Sequence, residues 1–447
     1  MDIIICGAGQ VGTHAAQVLT AAGHKITVLD LNAQRIAAIE DTMDLATLTG
    51  NCANADLLRE AGASDADLLI AATSADEINL LTAAVAKGVG ARKCIARVHH
   101  SAYFDQRGLD YCETLGIDQM ICPDYATAQA IGSMLRNPGA MAVESFARGQ
   151  VEMQEFGVAP GAKAVGKALS DLAIPPGMRV AVITRRHEAF IPDGATIVEA
   201  NDAIVLVGNT DVFERGKKPF DVADLGRQRV VLMGGAATSV WLCRTLRGSN
   251  VSIRLFEEDR ARAEELASKL EWVTVLHGDP TDRSVFDEEH LEQADAFVGL
   301  LVDDDEQNIL RCAWAKSMGV KTAVAVVENP NYLRLLKPIG IDYAYTPRML
   351  AAREILGAID ESALQSVATL AEGIINVYRM VVRPGAPIVG KPLATVKLSP
   401  NWMIAAVQRK QEVRVPLPDA SLQAGDVVLV IGRHGMEEKL TQLFTTG

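Results

Sequence analysis

Two stretches near the start of the chain, MDIIICGAGQVG at residues 1–12 and GHKITVLD at residues 23–30, decide its fold. Residues 2–6 are an apolar run that ends in Gly7, which predicts a buried parallel strand entering a glycine turn. Residues 13–22 predict the helix behind that turn, and residues 25–29 predict the next strand. This order of strand, turn and helix is typical of a Rossmann-like, doubly wound α/β domain.

The glycine turn predicts a site for a phosphate group. Gly7 permits the tight turn, Gly9 lets the backbone approach a phosphate, and Gly12 lets helix and strand pack. The helix N-terminus adds unpaired N–H groups and a positive dipole. Asp30 ends the following strand, where a carboxylate can accept the ribose hydroxyls of adenosine but repels a 2′-phosphate. We therefore expect NAD or an adenine nucleotide rather than NADP, and an Asp30 carboxylate that serves the ligand and supports no packing.

Composition narrows the class of protein. A chain of 447 residues with 49% hydrophobic residues is long enough for several domains. Its net charge of -13 and the lack of any long basic cluster argue against a nucleic-acid partner. No apolar run reaches the roughly 18 residues of a membrane span, and the chain begins in a predicted core strand, which leaves no room for a signal peptide. We therefore expect a cytoplasmic protein.

The spacing of the cysteines and histidines gives no sign of disulfides or of a metal site. The seven cysteines show no CxxC pair, and the eight histidines show no metal-ligand pattern. The sequence thus favours reduced, structural thiols and no metal site.

Strands and helices keep alternating as far as residues 120–121, which predicts a parallel sheet. Ligands of such sheets bind at the carboxyl ends of the strands, so Asn51, Thr73, Ser74 and Arg97 are predicted to converge beside the glycine turn. Arg97 can neutralise a phosphate there, and a surface ion pair is the alternative. Residues 151–208 instead hold short β runs between proline and glycine turns, which predicts a small α+β domain.

The chain then repeats itself. RVVLMGGAATSVWLCRTL at residues 229–246 mirrors DIIICGAGQVGTHAAQVL at residues 2–19, and a shift of 227 places Gly7 on Gly234 and Asp30 on Glu257. The small domain recurs as well, because VGKAL at residues 165–169 falls on VGKPL at residues 389–393. The sequence therefore predicts a tandem duplication. Its expected domains are two nucleotide-binding lobes, each followed by a small domain, at 1–136, 137–222, 223–360 and 361–447.

The second lobe is altered where a phosphate would bind. Ala236 replaces Gly9, Ser239 replaces Gly12, and Val326 replaces Arg97. A phosphate would meet a methyl group and lose its cation. We expect weaker, altered or absent nucleotide binding in this lobe, and a pure scaffold role is the alternative.

The full set of motifs resembles a known family. The order GAGQVG…VLD, GNCANADLLREAGA, AATSADEIN and IARV, then a β-rich domain with VGKxL, is similar to the TrkA family. These are the cytosolic, nucleotide-binding regulatory subunits of Trk-type bacterial potassium uptake systems, built from RCK (KTN) domains. The resemblance covers essentially the whole chain. It implies NAD(H) or ATP/ADP in the first lobe, a ring-shaped homo-oligomer, most simply a tetramer, and docking on a potassium-conducting subunit at the cytoplasmic face of the inner membrane.

The resemblance also implies the binding residues. In the first lobe the turn cradles phosphates, Asp30 holds the ribose, and the other residues line the crevice: Gly7, Ala8, Gly9, Gln10, Val11, Gly12, Asp30, Asn51, Cys52, Thr73, Ser74 and Arg97. The weaker second site uses the matching turn and two acids: Gly234, Gly235, Ala236, Ala237, Thr238, Glu257 and Asp279. The acidic run at residues 303–306 departs from the family pattern.

An NAD-dependent oxidoreductase is the alternative function, because the same fingerprint serves hydride transfer. A dehydrogenase needs a catalytic acid or base beside the nicotinamide, and the sequence shows no histidine with a carboxylate, and no lysine, at a recognisable spacing. A pure scaffold would keep the repeats without needing Asp30. We therefore expect no catalytic residues and a ligand-gated regulator, in which phosphate number or nicotinamide charge sets the aperture of the crevice.

Overall fold

A computed structural model gives the fold. The structure describes residues 1–104, 108–136, 142–146, 150–186, 188–220, 227–359, 364–370, 374–396, 402–409, 412–417, 419–433, 435 and 437–445. The predicted domain boundaries at 136/137, 222/223 and 360/361 fall at or within the gaps between these ranges, so they stay predictions. The chain divides into two compact units, one of Met1–Ile131 with Arg227–Asp360 and one of Gly132–Gly226 with Glu361–Gly447.

The first lobe is a parallel, six-stranded sheet with helices between its strands. Its elements are β1 (Asp2–Cys6), α1 (Gln10–Ala21), β2 (Lys25–Asp30), α2 (Ala33–Glu40), β3 (Ala46–Thr49), α3 (Ala55–Glu60), β4 (Leu68–Ala71), α4 (Asp76–Val89), β5 (Lys93–Arg97), α5 (Ser101–Phe104), α6 (Tyr111–Leu115), β6 (Gln119–Ile121) and α7 (Pro123–Arg136). The strand order is β3-β2-β1-β4-β5-β6. The order reverses between β1 and β4, which is where such folds bind ligands.

The first small domain is an antiparallel sheet with one helix. It comprises β7 (Ala142–Phe146), β8 (Val151–Gly157), β9 (Met178–Arg185), β10 (Glu188–Phe190), β11 (Ala203–Asn209) and α8 (Thr210–Lys217), in the strand order β10-β9-β11-β8-β7.

The second lobe repeats the first. Its elements are β12 (Gln228–Met233), α9 (Ala237–Thr245), β13 (Val251–Glu257), α10 (Arg260–Lys269), β14 (Thr274–His277), α11 (Arg283–Glu288), β15 (Ala296–Gly299), α12 (Asp305–Ser317), β16 (Thr322–Val326), α13 (Leu333–Leu336), β17 (Tyr343–Tyr345) and α14 (Pro347–Ile359). The strand order is β14-β13-β12-β15-β16-β17, which matches the first sheet strand for strand. The predicted fold class is thereby confirmed for both lobes.

The second small domain repeats the first small domain. It comprises β18 (Leu364–Leu370), β19 (Ile375–Val381), β20 (Trp402–Arg409), β21 (Glu412–Arg414), β22 (Val427–Arg433) and α15 (Glu437–Phe444), in the order β18-β19-β22-β20-β21. An aspartate paired with an arginine occurs in each small domain. Asp202 is 1% exposed and accepts from Arg185 Nε at 2.8 Å, and Asp426 is 2% exposed and accepts from Arg409 Nε at 2.8 Å. The same buried aspartate with the same arginine partner thus occurs in both small domains.

The strands of the lobes form because apolar runs are buried on both faces. All four residues of β4 and all four of β15 are buried, as expected for central parallel strands covered by helices. Helix α1 buries one apolar face, with Val11, Ala15 and Leu19 at helical spacing.

The last helix of each lobe packs on the other lobe. Ala351, Ile355 and Ile359 of α14 belong to the same buried core as Ile3 and Ile5 of β1. In the opposite direction, the Tyr125 ring of α7 lies 5.0 Å from the Trp241 ring of α9, in an edge-on arrangement. This exchange joins the two lobes into one unit, and it carries the start of each exchanged helix toward the glycine turn of the other lobe.

Candidate functional site

The first glycine turn has the geometry that a close backbone approach requires. Gly7 has φ +113°, and a Cβ there would lie 2.7 Å from the Ala72 carbonyl oxygen. A Cβ on Gly12 would lie 1.8 Å from the Gly7 carbonyl oxygen. A Cβ on Gly9 would meet nothing within 4 Å. Gly7 and Gly12 therefore shape the turn, whereas the missing side chain of Gly9 leaves open space at the start of α1.

Asp30 is tied to this turn. Its Oδ2 accepts from the Ala8 N–H at 2.6 Å, and its Oδ1 accepts from the Asn32 N–H at 2.8 Å. The expectation that this carboxylate supports no packing is wrong, because it joins the glycine turn to the N-terminus of α2. A carboxylate oxygen accepts more than one hydrogen bond, so both oxygens keep capacity for a ligand.

A crevice of about 1010 Å³ opens beside the turn. It contains most of the residues predicted for the first site: Gly9, Gln10, Val11, Asp30, Asn51, Cys52, Thr73, Ser74 and Arg97. Gly7, Ala8 and Gly12 form the turn without lining the crevice. The opposite wall comes from the second lobe and includes Ala237, Thr238, Asp303 and Glu328. The crevice is therefore shared between the lobes, which the sequence did not predict.

The side chain of Asn79 fixes two of the residues that line this crevice, Thr73 and Arg97, by hydrogen bonds to their backbone. Its Nδ2 donates to the Thr73 carbonyl at 3.0 Å and to the Arg97 carbonyl at 2.9 Å, and its Oδ1 accepts from the Thr73 N–H at 2.8 Å. The amide thus fixes the ends of β4 and β5 against each other. Asn308 makes the matching bonds to Leu301 and Val326 in the second lobe. Sequence reasoning missed Asn79, although its recurrence as Asn308 in the repeat was a usable signal.

Arg97 is a desolvated cation in the crevice. Burial lowers the pKa of its guanidinium, and the charges of Asp124 and Glu328 partly oppose that effect. Its Nε is buried and has no hydrogen-bond partner among the described residues. The predicted alternative of a surface ion pair does not describe this environment, because Arg97 lies inside a crevice and is surrounded by carboxylates of both lobes.

A hydrogen-bonded chain crosses from one lobe to the other. His99 Nδ1 lies 2.7 Å from Asp124 Oδ2, and Thr238 Oγ1 of the second lobe donates to Asp124 Oδ1 at 2.7 Å. Burial opposes ionisation of Asp124, but the bonds from His99 and Thr238 lower the pKa of its carboxyl below the usual value. Asp124 is therefore an ionised carboxylate whose hydrogen bonds connect the two lobes. The sequence shows no histidine and carboxylate at a recognisable spacing, and the fold brings His99 and Asp124 together from positions 25 residues apart.

The second lobe has a smaller crevice of about 390 Å³. Gly234 and Glu257 line it, whereas Gly235, Ala236 and Asp279 do not, and Ala237 and Thr238 line the first crevice instead. Glu257 Oε2 accepts from the Gly235 N–H at 2.7 Å, which repeats the bond between Asp30 and Ala8. The predicted second set is therefore divided between two crevices.

The second crevice also carries a cation that the sequence did not reveal. Arg311 of α12 lines it and pairs with Glu258 at 2.7 Å and with Asp279 at 3.2 Å. The expectation that this lobe has lost its cation is wrong, because the cation comes from a helix rather than from the end of β16. Its charge is already met by two carboxylates.

In the acidic run at residues 303–306, Asp304, Asp305 and Glu306 accept hydrogen bonds from other residues of the second lobe. Asp304 caps α12, and Asp305 accepts from the N–H groups of Glu328 and Asn329 at 2.7 and 2.8 Å. Glu306 accepts from the Tyr332 hydroxyl at 2.6 Å. Asp303 alone of the four lines the shared crevice.

Comparison with known proteins agrees with this architecture. The TrkA-N domain family matches residues 3–123 and 230–347, and the TrkA-C domain family matches residues 153–220 and 377–445. A protein of Archaeoglobus fulgidus named Trk system potassium uptake protein TrkA homolog is 33% identical over 444 residues, covering 99% of this chain and all of that protein. The Vibrio alginolyticus protein named Trk system potassium uptake protein TrkA is 30% identical, covering 96% and 95% of the two chains.

Solved structures share the fold at low sequence identity. The GsuK RCK domain superposes with a TM-score of 0.60 at 18% identity over 99% of this chain and 94% of that one. A GsuK channel bound to NAD gives 0.61 at 18% identity over 99% and 78%. No helix in the described parts of the chain is long and apolar enough to cross a membrane.

Two Rossmann-type lobes that exchange helices, each followed in the chain by a small antiparallel domain, define a protein of the tandem RCK class. The chain belongs to the TrkA family, because both family domains match it twice and the relatives align over nearly its whole length.

Proposed function

We propose that this chain is the nucleotide-binding regulatory subunit of a Trk-type potassium uptake system. The observation that carries the proposal is the shared crevice, where the glycine turn, Asp30 and Arg97 of the first lobe face the second lobe. A ligand held there touches both lobes at once. It can therefore shift their relative arrangement if it binds one arrangement more tightly than another.

The residues fit an adenine nucleotide, NAD(H) or ATP/ADP. The space beside Gly9 suits a phosphate, because a side chain there would fill it. The guanidinium of Arg97 lines the crevice and suits an anionic group of the ligand, and Asp30 suits the ribose. The proposed first site keeps all the residues expected from the sequence. The proposed second site keeps Gly234 and Glu257, and binds more weakly because Ala236 puts a methyl group at the start of α9.

The remaining parts of the proposal concern assembly. The relatives are named as parts of a potassium uptake system, which supports a potassium-conducting membrane partner and a position at the cytoplasmic face of the inner membrane. We propose a homo-oligomer, most simply a tetramer, since repeated modules close into symmetric rings. The domain bounds 1–136, 137–222, 223–360 and 361–447 belong to this proposal too.

The direct test is calorimetric titration of the full chain with NADH, NAD⁺, ATP and ADP, followed by co-purification with the membrane subunit. Saturable binding of at least one nucleotide and recovery of the potassium-conducting subunit are expected. A chain that binds none of the four contradicts the proposal. Light scattering that finds only monomers contradicts the assembly.

The oxidoreductase alternative gains one observation, the pair of His99 and Asp124 in the crevice. A histidine oriented by a carboxylate can act as an acid or base beside a nicotinamide. Asp124 is, however, also bound to Thr238, which gives the pair a role in joining the lobes. Loss of NADH absorbance with carbonyl substrates, abolished by His99→Gln, would favour the enzyme. We expect no turnover.

A further inference from the structure

The second lobe contributes a carboxylate at the point where the first lobe holds its cation. Glu328 follows β16 and lines the shared crevice, and its charge acts on Arg97 across the boundary between the lobes. It occupies the position in the repeat that His99 occupies in the first lobe. Asp76 accepts from the His99 N–H at 2.9 Å, and Asp305 accepts from the Glu328 N–H at 2.7 Å. The backbone of Glu328 is therefore fixed rather than free to move aside.

The charges around Arg97 do not favour an additional phosphate. Arg35 and Arg97 are the two arginines that line the crevice, and the carboxylates of Asp124 and Glu328 both act on Arg97. Arg348 also interacts with Glu328 but does not line the crevice. Burial and the charge of Asp305 raise the pKa of the Glu328 carboxyl, against the opposite effect of Arg348 and Arg97.

The fold assigns different parts of a nucleotide to different strands. In a Rossmann-type crevice the ribose lies at the end of β2, the diphosphate lies at the glycine turn, and whatever follows lies over β4 and β5. For a nucleoside triphosphate that group is a third phosphate, which needs Arg97. For a dinucleotide that group is the nicotinamide riboside, which is uncharged in NADH and cationic in NAD⁺. It therefore does not need Arg97. A third phosphate must therefore compete with Glu328 for Arg97.

We propose that Glu328 of the second lobe is a specificity-determining residue, which competes with a third phosphate for Arg97 and makes the crevice select dinucleotides over nucleoside triphosphates. This inference rests on the proposed nucleotide-binding function and names its ligand class. It also gives the boundary between the lobes a role in recognition, because the carboxylate that opposes a third phosphate beside Arg97 lines the crevice from the second lobe.

The test measures NADH and ATP affinities of the full chain by calorimetry, for the wild type and for Glu328→Gln. We expect the wild type to bind NADH at least about tenfold more tightly than ATP, and Glu328→Gln to gain about tenfold for ATP with little change for NADH, because one opposing charge is removed. Asp303→Asn is the matched control. It removes a charge from the same wall at a residue that is not among those acting on Arg97, so it should leave the ratio of affinities near the wild-type value.

Three results overturn the inference. The first is a wild type that binds ATP as tightly as NADH. The second is an unchanged ratio of NADH to ATP affinity in Glu328→Gln, with an intact fold by thermal melting. The third is an equal shift of that ratio in Asp303→Asn, which would assign selectivity to the overall negative charge of this wall rather than to Glu328. A chain that binds neither nucleotide overturns the proposed function and this inference together. A chain that binds both, with a ratio insensitive to Glu328, overturns this inference alone.

Discussion

At the scale of single residues, Asp30 combines a structural and a binding role. Its two oxygens accept the N–H groups of Ala8 and Asn32, and Glu257 accepts those of Gly235 and Asp259 in the same way. The acid at the end of the second strand of each lobe thus holds its glycine turn, whatever it does for a ligand. This gives a matched pair of variants that separates the two roles.

Asp30→Ala should weaken NADH and ATP binding by at least about tenfold and also destabilise the protein by about 1–3 kcal/mol, since two backbone donors lose their acceptor. Glu257→Ala should cause a similar loss of stability with little change in affinity. Calorimetry and thermal melting of both variants measure this. An equal loss of affinity in the two variants would contradict our assignment of the lobes.

Gly9 is predicted to affect binding without affecting the fold. Its φ of -81° suits alanine, and an added Cβ meets nothing within 4 Å. Gly9→Ala should therefore change the free energy of unfolding by less than about 0.5 kcal/mol. The methyl group lies where a phosphate approaches the turn, so nucleotide affinity should fall about tenfold. Gly88→Ala, an equally open glycine outside the crevice, is the control. Unchanged affinity in Gly9→Ala would mean that phosphates do not approach this turn.

At the scale of elements, the exchange of α7 and α14 decides how the lobes respond to a ligand. The apolar face of α14 could be recognised from the sequence, but the lobe it covers could not, because either lobe offers an apolar surface of the same kind. The same limit applies to Thr238 and Glu328. Thr238 was predicted for the second site and Glu328 was not singled out, and only packing shows that both line the crevice of the first lobe. Local patterns predicted both sheets, the glycine turn and most of one wall of the crevice.

Ile355→Ala should destabilise the protein by about 2–5 kcal/mol, because a fully packed side chain leaves a cavity in the core that α14 shares with β1. Ile355 is 1% exposed, whereas its neighbour Leu356 is 36% exposed. Leu356→Ala is therefore the control, with an expected change within about 0.5 kcal/mol. Hydrogen exchange should show the loss of protection in β1 and α1 of the first lobe. Loss confined to the second lobe would contradict the helix exchange.

At the scale of the whole molecule, the two crevices differ in which charges remain available. Among the residues that the structure describes, none is hydrogen-bonded to the buried Nε of Arg97 in the first crevice, whereas Arg311 of the second is already paired with Glu258 and Asp279. A ligand can shift an equilibrium only by its difference in affinity between two states. The first crevice, with Arg97 and a wall from the other lobe, should therefore supply most of the nucleotide response.

Arg97→Ala should remove most of the difference in potassium flux between nucleotides, a coupling of about 1–3 kcal/mol in typical allosteric proteins. Arg311→Ala should preserve that difference, because the Arg311 side chain is already paired with two neighbouring carboxylates. The measurement is flux through the membrane subunit reconstituted with each variant, with NADH, ATP or no nucleotide, after melting curves have shown intact folds. A normal response in Arg97→Ala together with a lost response in Arg311→Ala would mean that the second lobe is the sensor, and that Arg97 only braces the boundary between the lobes.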